Sequence, residues 1–338
     1  MVNTVDILGY PHAYELTPAT RRSCVLVFVH GWLLSREYWQ PLIHQLSQEY
    51  QCLSYDLRGF GESRAKAPRQ TLPSSSLRQV SGSNHVKPLV SHGLGNSLLV
   101  TDSTDSTGTT VSRNDLNGTP PTAMNTGFTP ADYATDLVAL LETLNIDQAW
   151  LIGHSLGGSI AIWASEQAPQ RVKGVACVNA GGGIYLKEEF EKFRSVGQQL
   201  LRFRPPWLPY LPFIDLMMNR MNVASPVDRK WGRQRVIDLV SADADAALGS
   251  LLDSTTEEEV HKLPGVVSRL KQPVYFIGGA KDDIMEPQYV NHLASFHSLF
   301  EYTGENVIEI PDCGHLAMVE CPEKVAEHLR DVLTKHGI

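Results

Sequence analysis

Three side chains able to share proton-relay chemistry stand at the ends of three separate apolar runs. Ser155 lies in Gly153-His154-Ser155-Leu156-Gly157, between the strand-like run Ala149-Trp150-Leu151-Ile152 and the helix-like run Ser159-Ile160-Ala161-Ile162-Trp163-Ala164. Where a strand turns straight into a helix, the corner residue takes a strained backbone conformation. Small neighbours two residues away on each side let the chain pass. That context makes Ser155 a candidate nucleophile. His315 follows Cys313-Gly314 after the run Val307-Ile308-Glu309-Ile310, and Asp282 and Asp283 follow Gly279-Ala280-Lys281 after Pro273-Val274-Tyr275-Phe276-Ile277.

The chemistry calls for these residue types. A serine hydroxyl is a poor nucleophile at neutral pH and needs a base within hydrogen-bond reach to take its proton as it attacks a carbonyl. Histidine has a suitable intrinsic pKa and can return the proton to a leaving group. An aspartate holds the imidazole in the useful tautomer and stabilises the imidazolium. Backbone N–H donors are needed for the negative oxygen of the tetrahedral intermediate, and losing one typically costs about 3 kcal/mol of transition-state stabilisation.

These residues need a frame that brings strand ends together. Cys24-Val25-Leu26-Val27-Phe28-Val29 reads as a strand covered on both faces, and it ends in His30-Gly31-Trp32, where a glycine lets the backbone approach a ligand. Cys52-Leu53-Ser54-Tyr55 is a further strand. After it comes Asp56 to Ser63, in which Arg58 to Ser63 is expected to be a turn that shapes a pocket wall rather than a catalytic element. A sixth strand, following the Ser155 helix, ends at Val178-Asn179-Ala180-Gly181 with no carboxylate. Thr129 can cap a helix with Pro130 at its first position and Asp132 in its first turn. That helix carries Tyr133, Leu137, Leu140, Leu141 and Leu144 as core residues.

The order of the motifs along the chain resembles the α/β-hydrolase superfamily, whose nucleophile, acid and histidine occur in that sequence. The resemblance implies an α/β fold: a mostly parallel eight-stranded sheet flanked by helices, with a helical cap. It also implies Ser155 as nucleophile, His315 as general base and Asp282 as the acid, with Asp283 as the alternative acid. Gly279-x-x-Asp282-x-Ile284 fits the family register, whereas counting back from Pro287 selects Asp283. The backbone N–H groups of Trp32 and Leu156 are carried over as the oxyanion hole, and Gly153 and Gly157 as the nucleophile elbow. His154 is expected to be a structural neighbour of the nucleophile and His30 to fix the oxyanion loop by hydrogen bonding. The reaction implied is hydrolysis of a small or medium apolar ester through an acyl-enzyme. Alternatives are a cofactor-free lyase or C–C bond hydrolase of the same fold, or a slow-turnover ligand receptor. Lyase chemistry would need cationic residues converging on a dicarboxylate, for which Arg202, Arg204, Arg229, Arg233 and Arg235 are available. Serine at the elbow disfavours an aspartate-nucleophile epoxide hydrolase or dehalogenase.

Composition agrees with one substantial core plus accessory segments: 338 residues, 42% hydrophobic. A formal net charge of -8 with no dominant basic stripe argues against a nucleic-acid partner. No histidine cluster has metal-ligand spacing, so no metal and no cofactor are expected. Five cysteines, three of them in apolar strands, suit a reducing compartment. With no secretory pattern in the first residues and no apolar stretch near 20 residues, a cytoplasmic location without a membrane span is expected. A small-molecule substrate is the partner implied.

Organisation along the chain is uneven. Residues 65–127 contain no Phe, Tyr or Trp, and Ser, Thr, Asn, Gly and Pro recur. Such a stretch cannot bury enough apolar surface to offset its ordering entropy. Residues 65–128 are therefore read as a disordered insertion. Residues 1–64, 129–183 and 264–338 are read as the core, and residues 184–263, where strand signals stop, as a helical cap that sets substrate shape. Within it, Trp207-Leu208-Pro209-Tyr210-Leu211-Pro212-Phe213 is expected to line an apolar pocket or pack the cap, with contact to a membrane surface as the alternative.

Overall fold

The computed structural model describes residues 1–64, 127–181, 187–303 and 306–338. By contacts the chain divides into Met1–Lys66 with Met124–Ile338, and a second unit, Ala67–Ala123. The second unit lies wholly outside the described residues, and so does the expected insertion apart from its last two residues.

An eight-stranded sheet organises the first unit. Its strands are β1 (Asn3–Ile7), β2 (Tyr10–Leu16), β3 (Val25–Val29), β4 (Cys52–Tyr55), β5 (Ala149–His154), β6 (Val172–Val178), β7 (Val274–Gly279) and β8 (Val307–Ile310), in the order β1-β2-β4-β3-β5-β6-β7-β8. β2 runs antiparallel to β1 and β4, and the remaining pairs are parallel. β1 and β2 have no counterpart among the six strands read from apolar runs. β1 is a largely exposed edge strand without such a run, and its hairpin closes through Leu8 and Gly9, both at positive φ as a tight two-residue turn requires.

Alternation along the buried strands divides the core in two. Val25, Val27 and Val29 of β3 and Leu151 of β5 face one layer, whereas Leu26, Phe28, Trp150 and Ile152 face the other. The first layer is covered by α2 (Pro130–Thr143), α3 (Leu156–Gln167), α8 (Glu257–Arg269) and α9 (Pro287–Ala294). The second is covered by α1 (Gln40–Leu46), α11 (Ala317–Glu320) and α12 (Pro322–Lys335). α2 begins in a capping box: Thr129 Oγ1 accepts from Asp132 N (3.1 Å) and the Asp132 carboxylate accepts from Thr129 N (3.0 Å).

Between β6 and β7 the chain is helical: α4 (Lys187–Arg202), α5 (Ile214–Met218), α6 (Arg229–Ser241), α7 (Ala244–Ser254) and then α8, with the short helix α10 (Ser298–Thr303) following α9. The expected boundary at residues 263/264 falls inside α8, which packs on α3 and lets Trp163 Nε1 donate to Glu259 Oε1 (2.5 Å). The stretch Trp207–Phe213 differs from its expected pocket-lining role. Prolines 205, 206, 209 and 212 allow only a short 3-10 turn, and Trp207, Tyr210 and Phe213 are left 58%, 81% and 70% exposed.

The turn after β4 also differs from expectation. It does not line the cavities at Ser155 described below; it props other elements. Asp56 accepts from Arg36 N (2.7 Å) and Glu62 N (2.9 Å) and pairs with the Arg36 guanidinium. Arg58 bridges to Asp136 (3.1 Å). The Gly59 carbonyl accepts from Asp243 N (2.8 Å) at the start of α7.

On α6, Asp238 accepts from Ser35 Oγ (3.1 Å) and Gln234 Nε2 (2.9 Å). Burial pushes its carboxyl up to about 7. A carboxyl whose folded pKa is raised contributes stability below its unfolded pKa near 4, and that contribution is lost as pH rises through about 7. Asp238→Asn should therefore match the wild type in stability at acidic pH and exceed it above pH 7, by on the order of 2–4 kcal/mol at pH 9. Denaturant unfolding at a series of pH values checks this, and parallel curves for the two proteins would count against it.

Candidate active site

The carboxyl ends of β3, β5, β6, β7 and β8 each deliver one part of a single cluster. At the end of β5, Ser155 has φ 51 and ψ −121, and α3 starts at the next residue. This is the strained corner expected of a direct strand-to-helix turn. The flanking glycines are required by close approach: a Cβ at Gly153 would meet Gly157 O at 2.2 Å, and one at Gly157 would meet Val29 O at 2.3 Å. Because Leu156 is the first residue of α3, its N–H has no intrahelical acceptor and lies where the helix dipole favours negative charge.

The loop after β3 holds the second donor. Leu57 N donates to His30 Nε2 (2.9 Å), so the proton of the neutral ring lies on Nδ1, which donates to Gly31 O (2.8 Å). Burial holds His30 below the usual histidine range. Fixed in this way, the loop passes through Leu33 at φ 54, and Trp32 Nε1 ties it to α7 by donating to Ala247 O (2.9 Å). Among the described residues, neither Trp32 N nor Leu156 N donates to a backbone acceptor.

His315 and Asp282 come together after β8 and β7. His315 Nδ1 lies 3.0 Å from Asp282 Oδ1 and 2.9 Å from Oδ2. Asp282 is buried; Asp283, the alternative, is exposed. Burial opposes the Asp282 charge, but the charge and hydrogen bond of His315 and the N–H groups of Met285 and Ile284 (both 2.9 Å to Oδ1) outweigh it. The carboxyl therefore sits below its ordinary value. With Nδ1–H committed to Asp282, Nε2 is the ring nitrogen free to take a proton.

Two supports escaped the sequence reading. Asn179, fully buried at the end of β6 with φ 47, donates from Nδ2 to Asp282 Oδ2 and to Gly314 O (both 2.9 Å), and accepts from Ala317 N (3.3 Å). A polar residue closing a buried apolar strand was the available signal. Glu320 accepts from Gly314 N, Leu316 N and Ala224 N and so clamps the His315 loop. No motif marked it. His154 donates from Nε2 to His315 O (2.8 Å), its ring centroid 4.8 Å from that of His315. Burial and the neighbouring His315 lower it to about 3, so it stays neutral.

Two cavities meet at Ser155 and share Trp32, Phe193 and Ile284 as walls. One, of about 90 Å³, runs along the start of α3 and is closed by Leu251, Val260, Leu263 and Met285, with Glu259 and Thr255 as polar groups. The other, of about 180 Å³, contains His315 and is walled by Leu200, Met218, Met221, Leu239 and Arg235. Of the five arginines noted in the sequence, Arg235 faces this cavity, with its Nη1 already donating to Met218 O (3.1 Å) and Met221 O (2.6 Å). Arg204 donates to Leu239 O and Ala242 O, Arg229 pairs with Asp215, and Arg202 and Arg233 are exposed.

Comparison with known proteins fits this arrangement. A model of the alpha/beta hydrolase family matches residues 26–328. An uncharacterized hydrolase of Bacillus subtilis is 24% identical over 208 residues, covering 61% of this chain and 72% of that protein. A 2-succinyl-6-hydroxy-2,4-cyclohexadiene-1-carboxylate synthase of Escherichia coli is 27% identical over 198 residues, covering 58% of this chain and 73% of that one. A thermophilic esterase from Thermogutta terrifontis superposes with a TM-score of 0.66 at 21% identity, covering 99% of both chains.

The glycine contacts make a sharp expectation. Gly153→Ala and Gly157→Ala should each lose about 1–3 kcal/mol or more, because backbone must move. Gly278→Ala, whose Cβ would meet nothing within 4 Å, should be neutral or slightly stabilising. Thermal unfolding of the three variants decides it; equal losses at all three positions would refute the close-approach explanation.

Proposed function

Because the chain belongs to the α/β-hydrolase family, we propose that it is a serine esterase acting on small or medium apolar esters through an acyl-enzyme. The observation that carries this reading is Ser155 at its strained corner, in one cavity with a His315 whose Nδ1 is bonded to the Asp282 carboxylate.

Ser155 Oγ attacks the ester carbonyl as His315 Nε2 takes its proton, and Asp282 stabilises the imidazolium. The Trp32 and Leu156 N–H groups take the oxyanion. As the carbonyl re-forms, the bond to the leaving oxygen breaks and His315 returns the proton to it. Water, deprotonated by the same imidazole, then attacks the acyl carbon; the bond to Ser155 Oγ breaks, the imidazolium returns its proton to that oxygen, and a carboxylic acid is released. The leaving oxygen must face His315, so the alcohol portion occupies the larger cavity and the acyl portion the smaller one. Residues 184–263 act as the cap over residues 1–64, 129–183 and 264–338, with α4, α5 and α6 roofing the alcohol side and α7 and α8 the acyl side. Buried, unbonded Cys24, Cys52 and Cys177 support a reducing, cytoplasmic setting. The lyase reading fits less well, since among the described residues Arg235 is the one arginine lining the cavities at Ser155, and its guanidinium is already committed to carbonyls.

A fluorophosphonate probe should label the wild-type protein and not Ser155→Ala, with labelling of His315→Ala greatly reduced. Asp282→Asn should lower kcat/KM on a soluble ester by about 10³-fold or more, while Asp283→Asn stays within about twofold. Absence of labelling in folded wild type would argue for a silent binding site, and an inactive Asp283→Asn beside an active Asp282→Asn would reassign the acid. Widening the smaller cavity by Val260→Ala should raise kcat/KM for butyryl over acetyl esters severalfold, at about 0.8 kcal/mol per accommodated methylene, and leave the preference among alcohols unchanged. A change confined to the alcohol series would reverse the assignment of the two cavities.

A further inference from the structure

We propose that the face built from residues 196–221 docks on an anionic lipid bilayer, and that the larger cavity opens within that face so that the ester is drawn from the membrane. The second half of the proposal rests on the esterase reading above; the docking does not.

Apolar exposure is concentrated here. Among the described residues, nine of the exposed large apolar side chains lie between Val196 and Met221, and Phe203 is 85% exposed. A concentration of exposed apolar side chains of this kind points to an interaction site on a globular protein. The residue types narrow the partner: Trp207 and Tyr210 are the side chains that settle at a headgroup boundary, with an apolar body and a polar tip. Among the described residues no helix is long and apolar enough to cross a membrane, so the contact is peripheral.

Charge selects an anionic surface. From Lys192 to Arg235 there are nine Lys and Arg against two Asp, in a chain whose formal net charge is -8. Arg202, Arg220, Lys230 and Arg233 are exposed, Arg202 next to Phe203 and Arg220 next to Met221 in sequence. An acidic protein that gathers cations around its exposed aromatics is suited to a negative bilayer. The same cations oppose a second copy of this chain on the face, since a twofold contact would set like charges against each other.

The cavity joins the two observations. Leu200 and Met221 are 37% and 40% exposed, and both also line the cavity that holds Ser155 and His315. Its mouth therefore lies inside the apolar face. An apolar ester entering from a docked bilayer would pass from lipid to Ser155 along Leu200, Met221 and Met218 without being fully hydrated.

The test uses the full chain with vesicles of phosphatidylcholine alone and with about one third phosphatidylserine, read by co-sedimentation, alongside hydrolysis of a soluble short-chain ester and of an ester dissolved in the vesicles. The wild type should sediment with the phosphatidylserine vesicles at least about tenfold more strongly than with the neutral ones, and less so as salt rises. The triple variant Phe203→Ser, Trp207→Ser, Phe213→Ser and the double variant Arg202→Glu, Arg220→Glu should each lose about tenfold or more of that binding. Both should turn over the soluble ester at the wild-type rate and lose turnover of the vesicle ester. Soluble-ester hydrolysis without vesicle binding would overturn the docking and leave the esterase reading intact. Vesicle binding without hydrolysis of either ester would support the docking and overturn the esterase reading. A wild-type dimer in gel filtration that the triple variant dissociates, with neither protein brought down by vesicles, would make the face a self-association surface and overturn the proposal.

Discussion

β5 and α3 are joined by one residue, and the rest of the cluster is arranged around that constraint. With no loop to relieve the turn, Ser155 takes a backbone conformation that costs of order 1–3 kcal/mol. It persists because the surroundings over-determine it: β5 is hydrogen-bonded on both sides by β3 and β6, and Gly153 and Gly157 let the backbones of β3, β5 and α3 touch. Leu33, Asn179, Asn222 and Asp312 are also held at positive φ. Leu33 and Asn179 close the loops of the two strands flanking β5; Asn222 accepts from His315 N (2.9 Å). Four of these positions, Leu33, Ser155, Asn179 and Asp312, lie just past the ends of β3, β5, β6 and β8.

Around this corner, two histidines, an asparagine and a carboxylate, each bonded to backbone, fix the loops. His30 and His154 are both buried, which holds each below the usual histidine range, and each donates to a backbone carbonyl, Gly31 O and His315 O. Asn179 spends its amide on Asp282 and Gly314, and Glu320 caps three backbone N–H groups. Buried polar groups of this kind are costly unless fully bonded, so small displacements of the loops are penalised from several directions. Cys313 and Cys321 lie under the same loop, their sulfurs 2.8 Å apart.

Much of the frame was legible because it follows short-range rules. The six strands read from the sequence are mostly apolar runs, β3 and β5 wholly buried and β8 with Glu309 exposed, and α2 announces itself with Thr129, Pro130 and Asp132. Ser155, Asp282 and His315 stood out because each closes or follows such a run, and the structure brings His315 to Asp282 rather than Asp283. The edge hairpin β1–β2 did not stand out, since an exposed edge carries no apolar run. Asn179 and Glu320 were not read as supports: the role of Asn179 depends on Asp282, 103 residues away, and no motif marked Glu320. Trp207 to Phe213 misled for a related reason. Aromatic content reads as core in sequence, whereas four prolines deny those residues a regular face to bury.

The walls of the two cavities come from different parts of the chain. Leu251, Val260 and Leu263 belong to α7 and α8, Leu200, Met218 and Leu239 to α4, α5 and α6, and among the described residues Trp32, Phe193, Ser155 and Ile284 serve both. The two sets are joined through α4, which supplies Phe193 to both cavities and whose Arg194 Nη1 donates to Thr255 O (2.9 Å) at the end of α7. Inheritance can therefore reshape either cavity alone at positions such as Val260 or Met218, whereas a change at Trp32, Phe193 or Ile284 alters both together.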